Sequence, residues 1–243
     1  MVNLEVSEGL LRLSAFLLVC VCLIGLEVWR PRRGDANRRG RWPVNLALGT
    51  VNAVVVRLIA PASGVTFALW GDARGFGLAR LLNLPELVEF AGAVLALDVL
   101  VYAQHRLFHA VPALWSLHRL HHADRTMDVT TGIRFHPAEI AISTMYKGAC
   151  IVALGASPGA TVTFELLLSL GSLFSHSNVR IGFDRLWQVL FVTPDMHRVH
   201  HSTEVGEQNT NFGFSFSCWD RLCGTYRAQP ANRHETMPLG VVD

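Results

Sequence analysis

Five long apolar stretches follow one another along the chain, each close to the length of a membrane helix. A helix that crosses a bilayer needs about 20 mainly apolar residues. The stretches cover residues 13–29, 43–70, 87–108, 138–156 and 160–175, and a shorter apolar segment at 186–192 suits the membrane interface. The pattern predicts an all-α integral membrane bundle of about four to five spanning helices.

Short sequence signals interrupt the second of these stretches and separate the fourth from the fifth. The second contains Arg57 and Pro61, which predict either one kinked helix or a broken pair. The fourth and fifth are separated by the short sequence SPG at residues 157–159, which predicts a tight helical hairpin.

The loop at residues 30–41, RPRRGDANRRGR, holds six arginines and one aspartate. Short loops rich in Arg and Lys stay on the cytoplasmic side of a membrane. Counting spans from this loop brings the histidine-rich segments after the third and fifth helices to the same face. We therefore predict a multi-pass protein of the bacterial inner membrane or the endoplasmic reticulum, with a cytoplasmic histidine-rich helical cap.

The amino-acid composition also indicates that the chain lies in a lipid bilayer. Hydrophobic residues make up 51% and charged residues 16%, whereas a soluble domain needs about a quarter of its residues charged. The net charge of +2 is too small to favour nucleic acid as a partner. Acidic residues precede the first apolar stretch, so it is predicted to be a membrane helix rather than a cleaved signal peptide.

Eight of the eleven histidines lie in three clusters with helical spacing: His105 and His109; His118, His121 and His122; His197, His200 and His201. Positions i, i+3 and i+4 share one face of a helix. Neutral imidazole is the commonest protein metal ligand, and a nitrogen-rich site suits Fe, Zn, Cu or Ni. Eight imidazoles exceed the three or four that one tetrahedral zinc uses, so the clusters predict two metals.

Other uses of the histidines fit the spacing less well. A zinc hydrolase of the HExxH type would place Glu between its ligands, but Arg, Leu and Val stand there. A haem uses only one or two axial ligands. The alternative from another class is a membrane metal-binding or transport protein for Zn or Ni, which predicts polar residues at successive depths of the bilayer.

Six blocks together resemble the fatty acid hydroxylase/sterol desaturase superfamily, whose signature is HxxxH, HxxHH and HxxHH. They read DVLVYAQHRLFH, LHRLHH, RFHPAE, FSHSNV, TPDMHRVHHS and NFGFSFSCWDRLCGTY, in the expected order between residues 98 and 226. The resemblance divides the chain into an N-terminal transmembrane region (1–97), a histidine-rich hydroxylase/desaturase domain (98–226) and a polar C-terminal tail (227–243), which is expected to be partly disordered.

The resemblance implies an O2-dependent oxidoreductase with two iron ions, no catalytic residue beyond the metal centre, and a separate electron-donor protein. A lipid from the bilayer would be hydroxylated or desaturated at an unactivated C–H bond. Ether cleavage is also compatible, as are fatty acyl, sterol, carotenoid and sphingoid substrates. The implied ligands are the eight clustered histidines, His176 of FSHSNV and His136 of RFHPAE. His136 suits an interfacial position before Pro137 equally well.

Metal-bound imidazoles usually donate their second N–H to a carboxylate or a carbonyl group. Six polar residues within the resembling blocks are candidates for this supporting role: Asp98, Glu139, Asn178, Asp195, Asn211 and Asp220. For Asp220, a helix cap or a salt bridge is an equally good interpretation.

Overall fold

The computed structural model describes residues 2–34, 37–59 and 64–242, and these form helices with no β-strand among them. In chain order the helices are α1 (Val2–Trp29), α2 (Arg38–Ile59), α3 (Gly64–Ala73), α4 (Leu78–Leu82), α5 (Glu86–Ala110), α6 (Pro112–His122), a 3-10 turn (Val129–Ile133), α7 (Pro137–Leu154), α8 (Pro158–His176), α9 (Asp184–Trp187), α10 (Pro194–His200), α11 (Val205–Gln208) and α12 (Cys218–Leu222). The all-α prediction is confirmed.

The predicted apolar stretches coincide with the long helices α1, α5, α7 and α8. The second stretch forms two helices, α2 and α3, while Pro61 lies outside the described residues. By length and hydropathy, two stretches could cross a membrane: Gly9–Trp29 and Arg38–Ala73, the latter including residues 60–63, which are not described. The larger number of four to five spans stays a prediction, as does the cytoplasmic position of the cap.

The bundle is centred on α5, which packs against α7 and α8, while α3 covers the same pair of helices. Leu97 of α5, Ile151 of α7 and Phe164 of α8 are buried together in this core. Large apolar side chains also point outward, among them Val21 (69% exposed) and Leu87 (78% exposed). Long helices with apolar side chains facing both the core and the outside are typical of a lipid environment.

The predicted hairpin between α7 and α8 is present and tight. Gly155 ends α7 in the left-handed conformation, with φ of 70°, and the Ser157 side chain accepts a hydrogen bond from the Ala160 amide at the start of α8. A Cβ on Gly155 would lie 2.9 Å from the Cα of Gly77. Glycine is therefore required at this turn for both its conformation and its size.

The C-terminal tail is packed against the histidine-rich region, so the expectation of partial disorder is wrong for its described residues. Met237 is fully buried beside Met127 and Leu239. The Gly240 amide donates a hydrogen bond to the carbonyl of His201 at 3.1 Å. Apolar residues at positions 237 and 239 explain why this otherwise polar segment is held.

The arginine-rich loop between α1 and α2 lies at the same end of the bundle as α10 and the tail. Arg32 pairs with Asp195 at 2.9 Å, and Arg33 donates to the carbonyls of His234 and Met237 at 2.8 Å. The loop that the charge pattern assigns to the cytoplasm is thus in direct contact with the segment that carries the third histidine cluster.

Candidate metal centre

Four helices bring nine histidines together at one end of the bundle. Helix α5 contributes two, α6 three, the end of α8 one, and α10 with its C-cap three. They form two groups: His105, His109, His118, His122 and His200; and His121, His176, His197 and His201. Within each group the ligand nitrogens lie within 4.8 Å of one another. Imidazole nitrogens on opposite sides of one metal are about 4.2 Å apart, so each group has the dimensions of one metal site.

Each HxxHH motif is divided between the two groups. In α6, the i and i+4 histidines (118 and 122) belong to the group of five, and His121 belongs to the group of four. In α10 the division is reversed, because only His200 belongs to the group of five. The two groups are adjacent, and the rings of His122 and His201 stack at 4.4 Å between centroids.

Five of the nine rings are oriented by a hydrogen bond from Nδ1 to an oxygen. The pairs are His105 with Phe212 O (2.8 Å), His118 with Glu139 Oε1 (2.7 Å), His121 with Arg134 O (3.0 Å), His176 with Ser172 O (2.6 Å) and His200 with Thr210 O (2.8 Å). A carbonyl or carboxylate oxygen only accepts, so each Nδ1 carries the hydrogen. In a neutral ring, Nε2 is then a lone pair directed into the cluster.

These orientations provide a test of whether the residues fit metal ions. The Nε2 atoms of His105 and His118 are 3.1 Å apart, and those of His121 and His176 are 3.0 Å apart. With both Nδ1 atoms in each pair already donating, neither Nε2 of a neutral ring has a hydrogen to share. Two lone pairs facing each other at this distance repel unless both nitrogens bind the same cation. One such pair occurs in each group, so the donor set fits two metals.

Burial favours the neutral form that metal binding requires. His121, His122, His197, His200 and His201 are almost completely inaccessible to solvent. Burial, together with the neighbouring imidazoles, holds the pKa of each well below its usual value. Both ring nitrogens of His122 and Nε2 of His200 lack a hydrogen-bond partner within the described part of the chain. Unpaired buried nitrogens are costly, and a metal ion would satisfy them.

His136, the tenth implied ligand, is not in either group. Its Nδ1 accepts a hydrogen bond from the Ala138 amide at 3.1 Å and caps α7 just before Pro137. This matches the alternative interpretation of an interfacial residue. His234 is buried 3.9 Å from Asp195 and is also separate from both groups.

Among the six polar residues predicted to support the ligands, Glu139 is the one that hydrogen-bonds a grouped histidine, through His118. Asp220 supports His105 indirectly. Its carboxylate accepts hydrogen bonds from the amides of Phe212 and Gly213, and so fixes the backbone at Phe212, whose carbonyl binds the His105 ring. Burial raises the pKa of Asp220 to about 6.

The remaining four polar residues stabilise the surrounding structure. Asp98 accepts from the Trp219 indole at 2.7 Å, and Asn211 donates to the Met196 carbonyl at 2.8 Å, next to His197. Asp195 binds Arg32 and Arg198, whereas Asn178 pairs with the backbone of Arg33.

A network of buried carboxylates, which the sequence pattern did not predict, stabilises the segments next to the histidine groups. Arg41 of α2 binds Asp124 at 2.5 Å and Asp128 at 2.8 Å, on the segment that follows α6. Glu27 of α1 accepts from the amides of Val129 and Asn178, both at 2.8 Å. An acidic residue inside an apolar helix, as at position 27, is the signal that could have revealed this network.

A family model described as fatty acid hydroxylase matches residues 90–225, which is more than half of the chain and includes all nine grouped histidines. The chain belongs to the fatty acid hydroxylase family.

Several curated proteins are similar to this family member. An ornithine lipid hydroxylase of Rhizobium tropici is 31% identical over 88% of the chain and 64% of its own length. Human alkylglycerol monooxygenase is 28% identical over 62% of the chain and 34% of its own length, and mouse cholesterol 25-hydroxylase is 28% identical over 60% and 50%. The chain therefore spans about two thirds or less of the curated relatives it matches. No solved structure shows significant similarity to it.

A cavity of about 520 Å³ adjoins the histidine groups of this hydroxylase-family chain. His105 and His118 line one end, and apolar side chains such as Val101, Phe108 and Leu168 line its length. A concave, mainly apolar cavity that opens onto a metal centre is a typical site for an apolar substrate.

Replacing Glu139 with alanine is expected to weaken metal binding by about 10- to 100-fold, because His118 loses the acceptor that fixes its ring and tautomer. Glu139→Gln keeps an accepting oxygen and should lie within a few-fold of the wild type. The measurement is metal retention against a graded series of chelator concentrations.

The matched control for this pair is Glu86→Ala, which removes an exposed acid from the start of α5. Equal metal retention in Glu139→Ala and Glu86→Ala would show that the contact between Glu139 and His118 does not orient a ligand.

Proposed function

We propose that the chain is an O2-dependent membrane oxidoreductase that hydroxylates or desaturates an unactivated C–H bond of a lipid. The observation that carries this proposal is the pair of histidine groups at the end of an apolar cavity, in a chain of the fatty acid hydroxylase family. Each of the relatives described above is named for an oxygenation reaction on a lipid or sterol.

The proposed metals are two iron ions, one held by each histidine group. The groups offer nitrogen ligands without a bridging carboxylate among them. Nitrogen-rich sites suit iron, and two irons would supply the oxygen activation that removal of hydrogen from an unactivated carbon requires. Hydroxylation would consume one O2, two electrons and two protons, and would yield the alcohol and water.

The protein's own contribution is to hold the ligands and to select the carbon. Glu139 and the backbone carbonyls fix the imidazole rings. The apolar cavity walls exclude water and position one segment of the lipid near His105 and His118. The electrons are proposed to come from a separate donor protein.

We further propose a multi-pass membrane topology with the metal centre on the cytoplasmic face. The contacts of Arg32, Arg33 and Arg41 with the histidine-rich region support this arrangement, since the positive-inside rule assigns that arginine-rich loop to the cytoplasm. The transport alternative has less support, because the nine histidines collect at one end of the bundle rather than at successive depths.

The proposal is tested by expressing the chain in cells together with a competent electron donor under 18O2. A lipid that gains one labelled oxygen, or one that loses two hydrogens, is expected only when the chain is present. Metal analysis of the purified protein should give about two irons per chain. Identical lipid profiles with and without the chain, under conditions in which iron is bound, would refute the proposed function.

A further inference from the structure

The cavity that begins at the metal centre has a charged far end. Arg12 of α1, Lys147 of α7 and Glu165 of α8 line it there, beyond the apolar section. A second, adjoining cavity of about 320 Å³ shares these three residues and adds Arg57 of α2. An oxidase that used only hydrocarbon packing to hold its substrate would have no need of charges in this position.

The charged residues at this end differ in how they are paired. Arg12 forms a salt bridge with Glu165 at 2.5 Å, and the Glu165 side chain is only 10% exposed. Lys147 is a second cation on the same cavity wall; the Glu165 carboxylate attracts it, but no hydrogen bond or salt bridge joins it to a described residue. The Lys147 side chain therefore lines the cavity without a bonded counter-ion among the described residues.

A cation that faces a mainly apolar cavity is unfavourable unless an anion or water accompanies it. We propose that Lys147 binds an anionic group of the lipid substrate, either a carboxylate or a phosphate. The inference rests on the proposed function, because it treats this cavity as the substrate site.

The position of Lys147 would also determine which carbon reacts. Lys147 follows Glu139 by eight residues on α7, which is about 12 Å along the helix, and Glu139 contacts the ligand His118. Glu165 precedes His176 by eleven residues on α8, or about 16 Å. The substrate would thus carry its anionic group about 12 to 16 Å from the carbon that is oxidised, on the side of the cavity away from the metals.

The test compares three probes of equal chain length: hexadecanoate, hexadecyl phosphate and hexadecan-1-ol. Their binding to the purified, metal-loaded full chain is measured in a non-ionic detergent without electron donor, so that no turnover occurs. The wild type should bind at least one anionic probe about tenfold or more tightly than the alcohol, as a hydrogen-bonded charge pair allows. Preference for hexadecanoate would identify a carboxylate, and preference for hexadecyl phosphate a phosphate.

Lys147→Met is expected to reduce this preference to within about twofold while leaving the affinity for hexadecan-1-ol unchanged. Lys147→Arg should retain most of it, and Lys147→Gln provides a polar replacement should the methionine variant not fold. The matched control is Arg233→Met, which removes a cation that is 85% exposed in the tail and should keep the full preference.

A wild type that does not discriminate between the probes would overturn the proposal, as would a Lys147→Met or Lys147→Gln variant that still prefers the anions. This outcome is distinguishable from failure of the proposed function, because binding is measured without catalysis. A chain that prefers anionic probes but yields no oxidised lipid would refute the activity alone.

Discussion

Replacing His121 with alanine is expected to reduce lipid oxidation by more than about 100-fold and to remove most of the metal from the group of four. Loss of a residue that only supports a ligand typically costs 10- to 100-fold, and loss of a ligand should exceed this. His121 is placed for this role by its hydrogen bond to the Arg134 carbonyl and by stacking on Phe135 at 4.2 Å. Its Nε2 is 3.0 Å from that of His176.

The matched control for this variant is His136→Ala. His136 lies in the same region, but its ring caps α7 instead of joining a group. Its loss should cost about 1 kcal/mol of stability, as for other helix caps, and should leave the metal content near that of the wild type. Metal analysis and product formation are measured on both variants. Full metal content in His121→Ala, or loss of metal in His136→Ala, would contradict the assignment of ligands.

Replacing Arg41 with methionine is expected to lower the free energy of unfolding by about 3 to 5 kcal/mol, because two buried carboxylates lose their cation. Asp124 and Asp128 are nearly inaccessible, and Arg41 binds both of them. For a chain of this size, at about 2 to 4 °C per kcal/mol, the loss corresponds to a fall in Tm of about 6 to 20 °C. Thermal unfolding in detergent measures it, with Arg39→Met, an exposed neighbour on α2, as the control.

The dependence of this effect on pH provides a second check. Burial disfavours the charged form of Asp124, but the hydrogen bond and charge of Arg41 outweigh it and hold the pKa of Asp124 below its usual value. In the wild type, this stabilisation is present above the usual pKa of about 4 and is lost as the pH falls through the lower folded value. In Arg41→Met the carboxyl can be protonated more readily, so the difference in Tm between the two proteins should shrink on acidification. A constant difference would show that Asp124 is not involved.

Much of the fold could be predicted from the sequence because long helices in this chain carry strong apolar signals. The bounds of α5, α7 and α8 lie within a few residues of the apolar stretches. The packed tail was missed because its buried apolar residues, Met237 and Leu239, are few, and its other contacts, such as that of the Gly240 amide with the His201 carbonyl, use backbone atoms that leave no sequence signal. Such sparse apolar residues do not separate an ordered tail from a disordered one.

The sequence predicted the histidines that form the site, but it did not predict how they are divided into two groups or what orients them. Helical spacing brings His118, His121 and His122 to one face, but it does not indicate that this face is shared by two groups. Most of the oxygens that orient the rings are backbone carbonyls, such as that of Phe212, and a carbonyl has no sequence signature. Arg41 and its carboxylates were missed because residues 41 and 124 are far apart in sequence and meet only in the folded chain.

The division of each HxxHH motif between the two groups has a consequence for how the protein acquires its metals. Helices α6 and α10 each contribute ligands to both groups, so an ion that enters one group also orders the imidazoles of the other. The second ion then meets a site whose conformational entropy has already been reduced. We therefore expect the two proposed ions to be taken up cooperatively, with half-loaded chains as a minor population during maturation.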